Sequence, residues 1–211
     1  MTIRFARGTV IALLAMTPAI VAAQAGQRGA PPPAAPGAAQ PGGGRGRGAI
    51  QVMTLTSSAW SDGGSIPAKY SQAGEEVSPP LSWSGAPEGV ASFALIVHDL
   101  DAATGPGTDD ILQWLVWNIP PTATSLREGE PGISQLPDGS RQISATGPMY
   151  RGPGAPAAGP PHHYAFELYA LDTMLEVPAV GASPAQTRAS IVSAMAGHVR
   201  GKAVCIGLFK R

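Results

Sequence analysis

Cysteine is nearly absent from this chain. Cys205 is the only one, so no disulfide can form within the chain and no C-x-x-C redox or zinc motif exists. It stands in AVCIGLF, an apolar run that suits a buried, inert thiol better than a nucleophile. Charge is also sparse, at 13% of residues. Five of the fourteen basic residues (Arg4, Arg7, Arg28, Arg45 and Arg47) precede residue 50, leaving nine against all fourteen acidic ones. That mildly acidic remainder excludes the basic footprint of a nucleic-acid binder. No uninterrupted apolar run approaches the roughly 20 residues that span a bilayer. The G-x-S-x-G elbow, the H-E-x-x-H zinc helix and the Walker loop are missing as well.

What is present begins with an N-terminal export pattern. Arg4 and Arg7 precede TVIALLAMTPAIVA, and the small-residue sequence Ala23-Gln24-Ala25 follows. A basic head, a short apolar centre and an A-x-A end predict a signal peptide over 1–25, cleaved near Ala25, and hence a periplasmic or secreted protein. Residues 26–49, GQRGAPPPAAPGAAQPGGGRGRG and one alanine, hold no bulky apolar side chain. Such a segment cannot bury enough surface to offset its ordering entropy and predicts a disordered linker. Its glycines are no phosphate loop, because no strand precedes them and no helix follows. Residues 50–211 are left as one domain.

Within that domain MTLTSSAW, ASFALIVHDLD, QWLVWNIP, HHYAFELYAL and KAVCIGLF are apolar, aromatic and β-branched, and turn formers bound them. They predict a β-rich fold, mainly antiparallel, with few helices. One helix is signalled clearly: Ser183 as cap, Pro184 at the first position, Gln186 closing a capping box and Gly197 at the exit. Ile191, Val192 and Met195 form its expected sheet-facing stripe. The long irregular segments Ala102 to Leu112 and Pro121 to Pro161 are expected to rim a site.

Strand alternation supplies the candidate residues. Phe93, Leu95, Val97 and Asp99 share one face, so Asp99 continues a buried row as a carboxylate at a strand end, whereas Asp101 equally suits a loop cap. Gln113, Leu115, Trp117 and Ile119 are expected opposite Trp114, Val116 and Asn118. In GPPHHYAFELYALD, His162 falls on one side with Tyr164 and Phe166, and His163 on the other. His163 and Glu167 share a face but stand about 13 Å apart on a strand, too far for one metal ion. No metal site and no catalytic centre is therefore expected.

Four stretches in register, SPPLSWSGAPEGVASFALIVHDLDA, QWLVWNIPP, YRGPGAPAAGPPHHYAFELYALD and AGHVRGKAVCIGLFKR, resemble the phosphatidylethanolamine-binding protein family. The resemblance is to its bacterial members, described as Raf kinase inhibitor-like. It implies a single-domain sandwich of a large antiparallel sheet and a smaller one, with a small surface pocket for anions such as phosphate or a phospholipid head group. Carried over by position, the ligand-binding residues are Asp99, Asp101, Gln113, Gly152, Pro153, His162 and Tyr164. Three positions depart from the family pattern: Leu100 replaces a proline, His163 an arginine and Gln113 a histidine. With Asp99 orienting His162, an imidazolium, the Gln113 amide and loop N–H groups are expected to hold the anion.

The expected function is thus an exported, non-catalytic binder of a small anionic ligand or phospholipid head group, needing no cofactor. A peptidase-inhibitor-type module with a protease partner and an enzyme using Asp99 and His162 as an acid/base pair are the alternatives.

Overall fold

The computed structural model describes residues 49–103 and 110–211. The expected signal peptide, all but the last residue of the linker, and residues 104–109 of the first expected rim loop lie outside them.

Short strands open the domain: β1 (Gln51–Val52), β2 (Thr54–Ser57), β3 (Gly64–Ser65) and β4 (Leu81–Ser84). The long strands β5 (Ser92–Ala103) and β6 (Asp110–Ile119) follow, then the short β7 (Ser125–Leu126) and β8 (Arg141–Ile143), β9 (His162–Leu171), helix α1 (Pro184–Met195) and β10 (Val199–Phe209). The large sheet runs β1-β10-β9-β5-β6-β8, with β3 also on β10, and the small sheet runs β2-β4-β7. The architecture is the expected large and small sheet, but the large one is mixed: β1 and β3 pair with β10 in parallel.

Alternation along the long strands divides the apolar side chains between two cores. Phe93, Leu95, Val97, Trp114, Phe166, Leu168 and Cys205 meet Leu55, Leu81 and Trp83 of the small sheet. Ala94, Ile96, Leu115 and Trp117 face the other way, toward Ile191 and Met195 of α1. Large side chains shielded this completely contribute about 1.5–3 kcal/mol each, enough to hold the strand ends in fixed register. The helix begins as expected, with the Ser183 side chain accepting from the Gln186 N–H and the reciprocal contact completing the capping box. Gly197 takes the positive φ of 86° just past its end. The stripe differs by one residue, since Val192 is exposed and Thr187 is buried beside Ile191 and Met195.

Strand β6 departs from simple alternation twice. Val97 pairs with Trp114 and His98 with Leu112, so Gln113 is an extra residue that no β5 partner faces. Asn118, at φ 57°, is a second irregularity, which moves Ile119 to the side of Trp114 and Val116. The expected Gln113–Leu115–Trp117–Ile119 row is thereby broken at both ends. Asn118 bonds to the backbone of Leu175 through both amide atoms, at 2.8 and 3.0 Å. The two expected irregular segments also hold strands: β5 and β6 extend into the first, and the second contains β7 and β8.

Candidate functional site

The end of β5 and the start of β9 place the first candidates. Asp99 is the direct cross-strand partner of Tyr164, and His162 stands two residues earlier on β9, the diagonal position that side chains still reach. His162 Nδ1 accordingly lies 3.0 and 3.1 Å from the two Asp99 carboxylate oxygens. Asp99 is only 3% exposed, so this carboxylate is desolvated, a cost that the imidazole and the Asp101 N–H at 3.1 Å offset. The same contact fixes the ring and leaves Nε2 pointing away from Asp99.

Tyr164 is fully buried, and its hydroxyl accepts from the N–H groups of Gly154 and Ala155, both at 3.2 Å. Burial, then the adjacent Asp99 carboxylate, pushes the phenol far above its ordinary range. The loop that carries Gly152 and Pro153 is thus tied to the site through Tyr164. It is also pressed against residues 70–72. Gln72 Nε2 donates to the Gly152 carbonyl at 2.8 Å, the Gln72 N–H donates to the Pro153 carbonyl at 3.0 Å, and the Gly152 N–H donates to Glu76 at 3.1 Å. A Cβ on Gly152 would come within 2.6 Å of the Tyr70 carbonyl oxygen, so only glycine fits this approach.

Two expected donors therefore have other occupations. The loop N–H groups of Gly152, Gly154 and Ala155 bind Glu76 and Tyr164. The Gln113 amide is buried, and with Nε2 turned to the only acceptors near it, it donates to the carbonyls of Arg151 and Gly152 at 3.1 and 3.2 Å. Gln113 braces the loop from below and has no N–H left for an anion. Asp101 is exposed and caps the strand end: its carboxylate takes the His163 N–H and Nδ1. The structure brings Asp99, His162, Tyr164 and the 152–155 loop together, with Gln113 as a support and Asp101 beside them.

A profile of the phosphatidylethanolamine-binding protein family matches residues 56–210. The chain belongs to that family. A UPF0098 protein of Methanothermobacter thermautotrophicus is 43% identical over 161 residues, covering 75% of this chain and 99% of its own length. LppC of Mycobacterium tuberculosis, which carries a lipoprotein name, is 36% identical over 154 residues, 72% of this chain and 71% of its own. Among solved structures, the phosphatidylethanolamine-binding protein homologue CT736 of Chlamydia trachomatis superposes with a TM-score of 0.63 at 33% identity, covering 76% of this chain and 99% of that one. YbcL of E. coli, described as a member of the mammalian family, gives 0.64 at 27% identity, over 75% and 98%.

Beyond the family positions, one cluster escaped the sequence. On the helix side of the sheet, His98 is 8% exposed and bonds through Nδ1 to Asp110, which is also gripped by Arg188 of α1. Its Nε2 lies 3.3 Å from Glu167, within ion-pair reach but off the direction of a hydrogen bond. A cleft of about 940 Å3 opens there between β6 and α1. Its charged lining residues, Asp110 and Arg188, are bound to each other, so among the described residues the cleft offers no free charge. The Asp99–His162 edge remains the better candidate site. No helix among the described residues is long and apolar enough to cross a membrane.

Proposed function

We propose that this member of the phosphatidylethanolamine-binding protein family is an exported, non-catalytic binding protein that takes a small phosphate-bearing anion at His162. The observation that carries the reading is the 3.0 Å contact between His162 Nδ1 and the buried Asp99 carboxylate. It supports a ring whose inner nitrogen is committed and whose outer Nε2–H serves as an oriented, charge-assisted donor when protonated. Asp99 acts as the orienting residue, while the Tyr164-bound loop shapes the rim. An acid/base enzyme would need a second titratable group within reach of the outer nitrogen. Of the other carboxylates described at this edge, Glu76 accepts from the Gly152 N–H and Asp101 from the His163 N–H. The export pattern at the N-terminus, and the lipoprotein name of a relative, support a location outside the cytoplasm.

Calorimetric titration of the mature protein with phosphoethanolamine tests the reading. Saturable one-site binding is expected, weakened at least about tenfold in His162→Ala, the loss of one charge-assisted bond. Equal affinity in the two proteins would overturn it.

A further inference from the structure

The site described under the proposed function has a charge problem. His162 faces Asp99, and His163 faces Asp101, so each histidine that becomes cationic is matched by its own carboxylate. Glu76 adds a further negative charge at the Gly152 N–H. An anion approaching these groups alone would meet no net positive charge.

Arg151 has the opposite imbalance. Among the described residues no carboxylate or carbonyl bonds its guanidinium, and its Nε is shielded from solvent without a hydrogen-bond partner. Leaving a shielded donor unmade costs about 1–3 kcal/mol, so such a group normally has an acceptor beside it. The main chain of Arg151 is held from both directions. Its N–H donates to the Gln113 backbone carbonyl at 2.9 Å, and its carbonyl accepts from the Gln113 amide at 3.1 Å. The next residue, Gly152, lies so close to Tyr70 and Ser71 that there is no room for a side chain. Gly154, three residues after Arg151, begins the pair of N–H groups bound to Tyr164, a separation of at most about 10 Å of chain. The backbone is thus fixed on the loop that Tyr164 anchors, and the cationic side chain has no protein partner among the described residues.

We propose that Arg151 is the fixed-charge residue of this anion site, and that its guanidinium takes a phosphate oxyanion in the fork geometry that arginine presents to phosphate. It fills the part that His163 cannot take, because His163 is bound by Asp101. The inference rests on the anion-binding reading of His162 and extends it to a second ligand residue. Inorganic phosphate and a phospholipid head group share the chemistry that Arg151 recognises.

The test is titration of wild type, Arg151→Gln, Arg151→Lys and His163→Ala with two probes, inorganic phosphate and glycerophosphoethanolamine. Arg151→Gln is expected to lose about tenfold or more in affinity for whichever probe wild type binds, the share of one charge-assisted contact. Arg151→Lys, which keeps the charge without the fork, is expected to lose less, about threefold. His163→Ala is expected to stay within about threefold of wild type, as the loss of an exposed pair allows. The probe bound more tightly names the source of the anion, free phosphate or head group. Unchanged affinity in both Arg151 variants, with wild type binding either probe, overturns this inference and leaves the His162 site standing. Failure of wild type to bind either probe overturns both. Cooperative thermal unfolding of each variant shows that the proteins compared are folded, and Arg151→Lys carries the comparison should Arg151→Gln not fold.

Discussion

Asp101 holds His163 by two contacts, at 2.6 Å to its N–H and 2.8 Å to its ring Nδ1. The residue that stands where the family pattern has an arginine is therefore already paired within the chain. The Asp101 carboxyl is held below its ordinary range by those bonds, the backbone one first. Two residues earlier on β5, Asp99 pairs with the ring Nδ1 of His162 from a buried position. Two adjacent histidines thus have two separate carboxylates, and only the inner pair is shielded enough to orient a ligand.

The buried cluster on the helix side predicts how stability depends on pH. Burial works against the charged form of His98, but the Glu167 carboxylate 3.3 Å from its Nε2 and the bond from its Nδ1 to Asp110 outweigh it and raise its pKa above the ordinary 6.5. A raised pKa means stabilisation that is complete below about pH 6.5 and lost as pH rises through the folded-state value. Glu167 shifts the other way: His98 first, then Lys202 against the effect of burial, lower it from 4.5 to about 2. Its contribution is complete above about pH 4.5 and lost as pH falls toward 2. Thermal unfolding followed across pH should show both limbs. His98→Gln should flatten the upper one and cost about 3 kcal/mol at pH 6, the consequence of removing one partner from a buried charge cluster. A variant with the wild-type profile would contradict this.

Gly152 and Tyr164 are predicted to act on the same loop by different means. In Gly152→Ala the new Cβ collides with backbone atoms of Tyr70 and Ser71 at 2.6–2.9 Å, and overpacking against main chain costs about 1–3 kcal/mol. Tyr164→Phe instead leaves the buried N–H of Ala155 and the half-buried N–H of Gly154 without their acceptor, a loss of about 1–3 kcal/mol. Denaturant titration measures both losses. Hydrogen exchange distinguishes the two variants, because the Gly154 and Ala155 amides should lose protection in Tyr164→Phe. Unaltered protection would show that the hydroxyl is not what holds the loop.

The long strands and the helix were legible because each carries a periodic pattern or a cap made of local residues. His162–Leu171 was read to the residue, and Ser183, Pro184 and Gln186 do what their order predicts. The strands of two or three residues, β1, β3, β7 and β8, were not legible, since so short a pairing has no period to read. The positions of Asp99, His162 and Tyr164 followed from parity along unbroken strands. Gln113 did not, because one extra residue at a bulge reverses the parity of everything beyond it. The occupation of the loop N–H groups was also hidden, for it depends on a tyrosine ten residues later and a glutamate on a distant turn. No local signal marks Arg151, whose distinction is that no side-chain partner stands beside it among the described residues.

The central claim is that His162, oriented by Asp99, receives the anion. With four histidines in the chain, the imidazole resonances can be assigned and followed individually by NMR as phosphate is added. The account predicts a saturable shift at His162, a smaller one at His163 and none at His98 or His198. An unmoved His162, or equal movement of all four rings, would contradict it.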